Sequence, residues 1–94
     1  MKTLADFKRR IKVGQKLHGI RHRKDGDEDL GIRTISYVHS DAFAFKTDHG
    51  ASWVNFPSAT NVKFYPDNKD KITMLEVDPR TGEQSKILTY TFIN

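Results

Sequence analysis

From residue 14 onward, clusters of Gly, Pro, Asp, Asn and Ser break the chain at roughly 8–12-residue intervals. The segments between them are short. Each is long enough for one strand, and most alternate apolar with polar residues. LHGIRHR (17–23) reads as the first strand, and KDGDED (24–29) as a polar hairpin tip with Gly26 available for a positive φ. LGIRTISYVH (30–39) follows. Strict alternation puts Leu30, Ile32, Thr34 and Val38 on one face and Ile35 with Tyr37 on the other. AFAFK (42–46) and ASWVNF (51–56) flank the turn Asp48-His49-Gly50, and Pro57 ends the second of them. PSATN fits a short helical turn before VKFY (62–65) and the turn PDNKD. KITMLEV (71–77) and SKILTYTFI (85–93) flank DPRTGE and form a C-terminal hairpin. Trp53, between a glycine turn and a proline, is expected to be largely buried and to organise the core.

The one helical pattern precedes these strands. Thr3 and Asp6 have the spacing of an N-cap and its acidic N3 partner. Leu4, Phe7 and Ile11 share one stripe of a helix running to about Lys12, and Gly14 is a suitable stop. Three turns are too few to persist alone in water, so the helix must dock. The expected fold class is mostly β (α+β): a short amphipathic N-terminal helix packed on a small SH3-like barrel, or on a strongly bent antiparallel sheet. Ninety-four residues suit a single domain with one modest core.

Composition narrows the chemistry. Without cysteine there are no disulfides or thiolate metal sites. The N-terminus lacks the apolar run of a secretory signal, and no stretch approaches the ~20 apolar residues of a membrane span. These features point to a cytoplasmic protein with no membrane partner. The formal charge is +4, unevenly distributed. Residues 1–24 hold nine Lys or Arg against one acid, Asp6, while residues 25–94 hold seven bases and eleven acids. A basic end of this kind suits a polyanionic partner. It equally suits a helix and an edge strand that are merely well solvated.

No motif announces catalysis or a cofactor. His18 and His22 are four apart, but in a strand that places them about 13 Å from each other, too far to share a metal ion. DGDED (25–29) begins like a calcium loop, yet Leu30 and Ser36 stand where such a loop needs Gly and Glu. Ser, His and Asp are present without a nucleophile elbow or a phosphate-cradling glycine loop. The sequence reads as that of a non-enzyme, with no cofactor and no metal.

LADFKRRIKVGQKL, GIRTISYV, AFAFKT and GASWVNFPSATNVKFY together resemble small uncharacterised proteins of bacteriophages and mobile elements, over about residues 3–65. The shared pattern is a short helix, a Val-Gly lead-in, and barrel strands ending in a Ser-Trp strand before a proline. The resemblance implies a phage-type accessory protein in a bacterial cytoplasm. It carries over no site residues.

Two functions follow from these readings. The first is a nucleic-acid-binding module that contacts phosphates non-specifically through Lys8, Arg9 and Lys12 of the helix region and Arg21, Arg23 and Lys24 of the first strand and turn. Exposed aromatics beside bases, such as Tyr37 or Tyr65, would add stacking for single strands. The second is a protein-interaction module, such as a phage factor acting on a host protein, using a sheet edge or an aromatic patch. A basic surface gathered on one face favours the first; a scattered one favours the second.

Overall fold

The computed structural model of the chain describes residues 1–77 and 80–93, with all their side chains except those at 77, 84 and 85. Helix α1 (Leu4–Arg10) is followed by β1 (Lys16–Arg23), β2 (Gly26–Val38), β3 (Ala42–Thr47) and β4 (Gly50–Asn55). A 3-10 turn (Ala59–Asn61) then leads into β5 (Val62–Tyr65), β6 (Asn68–Val77) and β7 (Gln84–Ile93). All pairings are antiparallel, in the order β4-β3-β2-β1-β7-β6-β5. The sheet is thus two meanders, β1–β4 and β5–β7, joined where β1 pairs with β7. The C-terminal hairpin is present as β6 and β7. Asp78 and Pro79 of its expected DPRTGE turn lie outside the described residues, and Gly82 has φ +73°.

The sheet does not close, since β4 and β5 are its two edges. A closed barrel is therefore not what forms, but the sheet is far from flat. β3 and β7 are three strand positions apart, about 14 Å in a planar sheet. Yet the Phe45 and Tyr90 rings are 5.5 Å apart, and Phe43 is 6.2 Å from Tyr90. Only a sheet curled around this side brings those rings together.

The concave side holds the core. Register sets Leu17 of β1 opposite Phe92 of β7, and Ile72 and Met74 of β6 opposite Tyr90 and Leu88. All six are buried, with Ile35, Phe43, Phe45 and Val54 from the other meander. Phe7 of α1 is fully buried, and its ring meets Phe43, Phe56 and Phe92 edge-on at 6.0–6.1 Å. Ile11 is buried and Leu4 half-buried, as the stripe requires. The helix starts at a complete capping box, with the Asp6 amide donating to Thr3 Oγ1 at 3.1 Å. It ends at Arg10, two residues before the expected end at Lys12, with Ile11 as its cap.

Three expectations need correction. Trp53 is 50% exposed and is not a core residue. Phe45 pairs with Ser52 and Phe43 with Val54, so Ser52 and Val54 face inward and the alternate residue Trp53 faces out. The organisers of the core are instead Phe7, Phe43, Phe45 and Tyr90. Second, Ile35 and Tyr37 do not share a face. The β2–β3 register shifts between them, leaving Ile35 at 1% and Tyr37 at 54% exposure. Third, the acidic run is not a hairpin tip. Arg23 pairs with Gly26, so only Lys24 and Asp25 turn, and Asp27, Glu28 and Asp29 belong to β2. There they face bases of β1. Asp27 lies 2.8 Å from His22, Asp29 lies 2.8 Å from His18, and Glu28 accepts from Arg23 at 3.0 Å. These cross-strand pairs are what a strand of this charge needs.

Candidate functional site

The six bases singled out in the sequence do not form one surface. Lys8 is exposed on α1 with its amine 5.2 Å from the centre of the Phe56 ring. Arg9 is paired to Asp6, and Lys12 is exposed just beyond the helix. Arg23 donates to both oxygens of Glu28, at 3.0 and 3.2 Å, and Lys24 is exposed at the hairpin tip. The first three sit near the start of β1 and the last two at its far end. An eight-residue strand, about 25 Å long, separates them. Arg21 faces differently again: it pairs with Leu88 and lines the concave side. Two of the six, Arg9 and Arg23, are already neutralised by acids.

The convex face of the sheet carries Tyr37 and Tyr65, which the sequence offered as exposed aromatics, together with Trp53 and a set of lysines that sequence reading missed. A two-residue loop, Asp48 and His49, lies between the pairing of Thr47 with Gly50. That register sets Trp53 opposite Ala44, and Ala44 is opposite Tyr37 on the next strand. Alanine fills little of the space between its neighbours, so the two large rings close over it. They stack at 5.8 Å with an interplanar angle of 19°, and Ala44 is left with no exposure. His39 tilts against Trp53 at 5.1 Å. Half of each large ring still faces solvent.

Lysines accompany these rings. Lys46 lies two residues along β3 from Ala44, on the same face, and is exposed. Lys16 is exposed at the start of β1. Across the sheet, Lys63 and Lys71 place their amines 5.2 and 4.7 Å from the centre of the Tyr65 ring, which faces the same convex side. Among the described residues none of these four lysines pairs with a carboxylate. The acids of this face, Asp27 and Asp29, lie against His22 and His18. The Gly31 amide, then His18, hold the Asp29 carboxyl below the ordinary aspartate range.

A polar chain runs across the same face. Asp27 lies 2.8 Å from Nδ1 of His22, and His22 Nε2 lies 2.7 Å from Thr89 Oγ1. The Thr89 and Thr73 hydroxyls are 2.7 Å apart, as are those of Thr73 and Tyr65. Its first three members have the spacing of a charge-relay triad. However, Thr89 is only 4% exposed and shares its hydroxyl with Thr73. It also lies in a central strand paired on both sides, where backbone amides serve the ladder and not an oxyanion. The geometry is that of a zipper stitching five strands.

On the concave side, beyond the apolar core, lies a cavity of about 130 Å³ lined by Arg21, Arg33, Ser52, Lys86, Glu28, Glu76 and Tyr90, among others. Burial pushes the Tyr90 hydroxyl up to about 12, with the Arg33 and Glu76 charges acting in opposite senses. Among the described residues, no cluster of three or more His, Asp or Glu is placed to hold a metal ion, and no helix is long and apolar enough to cross a membrane. No family model matches the chain, and no curated protein or solved structure shows a meaningful similarity to it.

Proposed function

We propose that this chain is a small non-catalytic module that binds single-stranded nucleic acid on the convex face of its sheet. The observation that carries this reading is the half-exposed stack of Trp53 and Tyr37 with His39 against it. Every base offers a π-face, so such a platform accepts a strand with little regard to sequence. Unpaired bases are required, because a duplex keeps its π-faces inside. Lys16, Lys46, Lys63 and Lys71 supply the phosphate contacts, which position the strand and make its binding salt-dependent. The basic contribution thus comes from the sheet, and the helix bases Lys8 and Lys12 extend it at most. The curled sheet serves as an SH3-like half-barrel scaffold, and the likeness to phage proteins agrees with an accessory role in a bacterial cytoplasm.

A protein partner is the second reading. The same rings lie on and beside β4, an edge strand whose outer backbone groups are open to strand addition. Fluorescence anisotropy with a labelled oligothymidylate at low salt separates the two. Single strands are expected to bind more tightly than the matching duplex. Trp53→Ala is expected to weaken binding at least about fivefold, the low end for a stacked base. Absence of binding by the wild type, or equal binding by the variant, overturns the nucleic-acid reading and leaves the protein partner.

A further inference from the structure

We propose that the concave cavity is a binding site for a phosphate monoester, held between Arg21 and Arg33. The arginines of the chain differ in how their charge is met. Arg9 pairs with Asp6, Arg10 with Asp70 and Arg23 with Glu28. Arg21 and Arg33 face the same cavity from neighbouring strands, and neither pairs with a carboxylate among the described residues. Both are half-buried. The Arg33 guanidinium lies 4.4 Å from the centre of the Phe45 ring, which has no exposure at all. This cation–π contact holds the guanidinium against the ring, and no carboxylate among the described residues takes its N–H donors. A fork fixed in this way is prepared for an oxyanion.

The rest of the lining agrees. Ser52 and Tyr90 also line the cavity, and their hydroxyls are neutral donors. Tyr90 keeps its proton at any ordinary pH, because burial pushes its ionisation up to about 12. Two carboxylates also line the cavity, and each has a cation beside it. Glu28 is engaged by Arg23, and Glu76 lies 4.0 Å from Lys86. A volume of about 130 Å³ holds several waters, and hence a phosphate group that replaces them. A tetrahedral dianion has enough oxygens for two guanidinium forks at once; a carboxylate has two. Ser52, Trp53 and Val54 of β4 all contribute to the lining of this cavity, while the Trp53 ring stacks on Tyr37 on the opposite face. The terminal phosphate of a strand lying on Trp53 therefore has a short path around the β4 edge. That source rests on the nucleic-acid reading; a small free phosphate ester does not.

The test uses the full chain labelled with ¹⁵N. Inorganic phosphate is titrated against a chloride control of equal ionic strength, with the arginine Nε–H signals as readout. Saturable shifts confined to Arg21 and Arg33 are expected. Arg33→Gln and, separately, Arg21→Gln are each expected to weaken binding about tenfold or more, the loss of a charge-assisted contact. Two independent variants guard against one that misfolds. Acetate is expected to bind more weakly than phosphate. Shifts no larger than those from chloride, or unchanged binding in both folded variants, overturn the proposal. A second arm compares oligothymidylates with and without a terminal phosphate. A preference for the phosphorylated strand that Arg33→Gln removes assigns the site to strand ends. Equal binding of the two strands, with the phosphate shifts intact, assigns it to a small ester. Phosphate shifts that persist when no oligonucleotide binds would sink the nucleic-acid reading alone.

Discussion

Gly19 shows how closely one residue can be specified. It faces Tyr90 across the β1–β7 pairing, and a β-carbon there would lie 3.1 Å from the edge of the Tyr90 ring. That ring cannot retreat easily, because Phe43 and Phe45 hold its other sides. Gly19→Ala should therefore destabilise the fold by about 1–3 kcal/mol in urea melts, as overpacking does. Trp53 is the opposite case. Its ring covers Ala44 but not the core, so Trp53→Ala should cost only about 1 kcal/mol. Loss of cooperative unfolding in that variant would return Trp53 to the core. Its outward position is in fact legible in the sequence. Phe43 and Phe45 must face inward, the two-residue loop fixes the register, and counting across it places Trp53 beside Ala44. Position between a glycine and a proline is a poorer guide, because it ignores parity. The face of Tyr37 was not legible. It depends on a bulge after Ile35 that no Gly or Pro announces, and a one-residue slip exchanges faces.

Elements were easier to read than faces. The helix cap, all seven strands and the 3-10 turn are present where turn chemistry and alternation place them, with ends shifted by a few residues. The larger errors came from charge. An acidic run looks like a solvated tip until its partner strand is known to carry His18, His22 and Arg23. Pairing across strands, unlike periodicity, is not written in either strand alone. At the helix, the Asp6 carboxylate accepts from the amides of Lys2 and Thr3, at 3.0 and 3.2 Å, and pairs with Arg9. The Lys2 amide first, then Arg9, hold its ionisation below the ordinary aspartate range. A depressed carboxyl stabilises the fold above its unfolded value and loses that effect as pH falls through its folded value. The first turn of α1 should therefore fray in acid, below the usual aspartate range. Amide shifts of residues 4–7 report this, and Asp6→Asn should show the frayed signature already at neutral pH.

At the scale of the molecule, the curled sheet separates two chemistries. Its concave side has the core and the arginine-lined cavity; its convex side has aromatics, lysines and the threonine zipper. The lopsided sequence charge gave no hint of this, because a basic end in sequence is not a basic face in space. If the four convex lysines each meet a phosphate, the slope of log K against log salt on single strands should be about −3. A slope near zero would mean that stacking alone, or another ligand, accounts for the binding.

The junction of the two meanders has a kinetic consequence. Among the described residues, every pairing but one joins strands that follow each other in the chain; in the exception Lys16 pairs with Ile93. Each meander can close through short loops, whereas the β1–β7 junction must close nearly the whole chain at a much larger entropic cost. Folding is thus expected to leave that junction until last, with the two halves partly formed before they meet. Substitutions that weaken it, such as Leu17→Ala, should mainly accelerate unfolding. Those within one half, such as Val54→Ala beside Phe43, should slow folding. Chevron plots of the two variants would show the order, and the reverse partition would mean that the ends of the chain meet first.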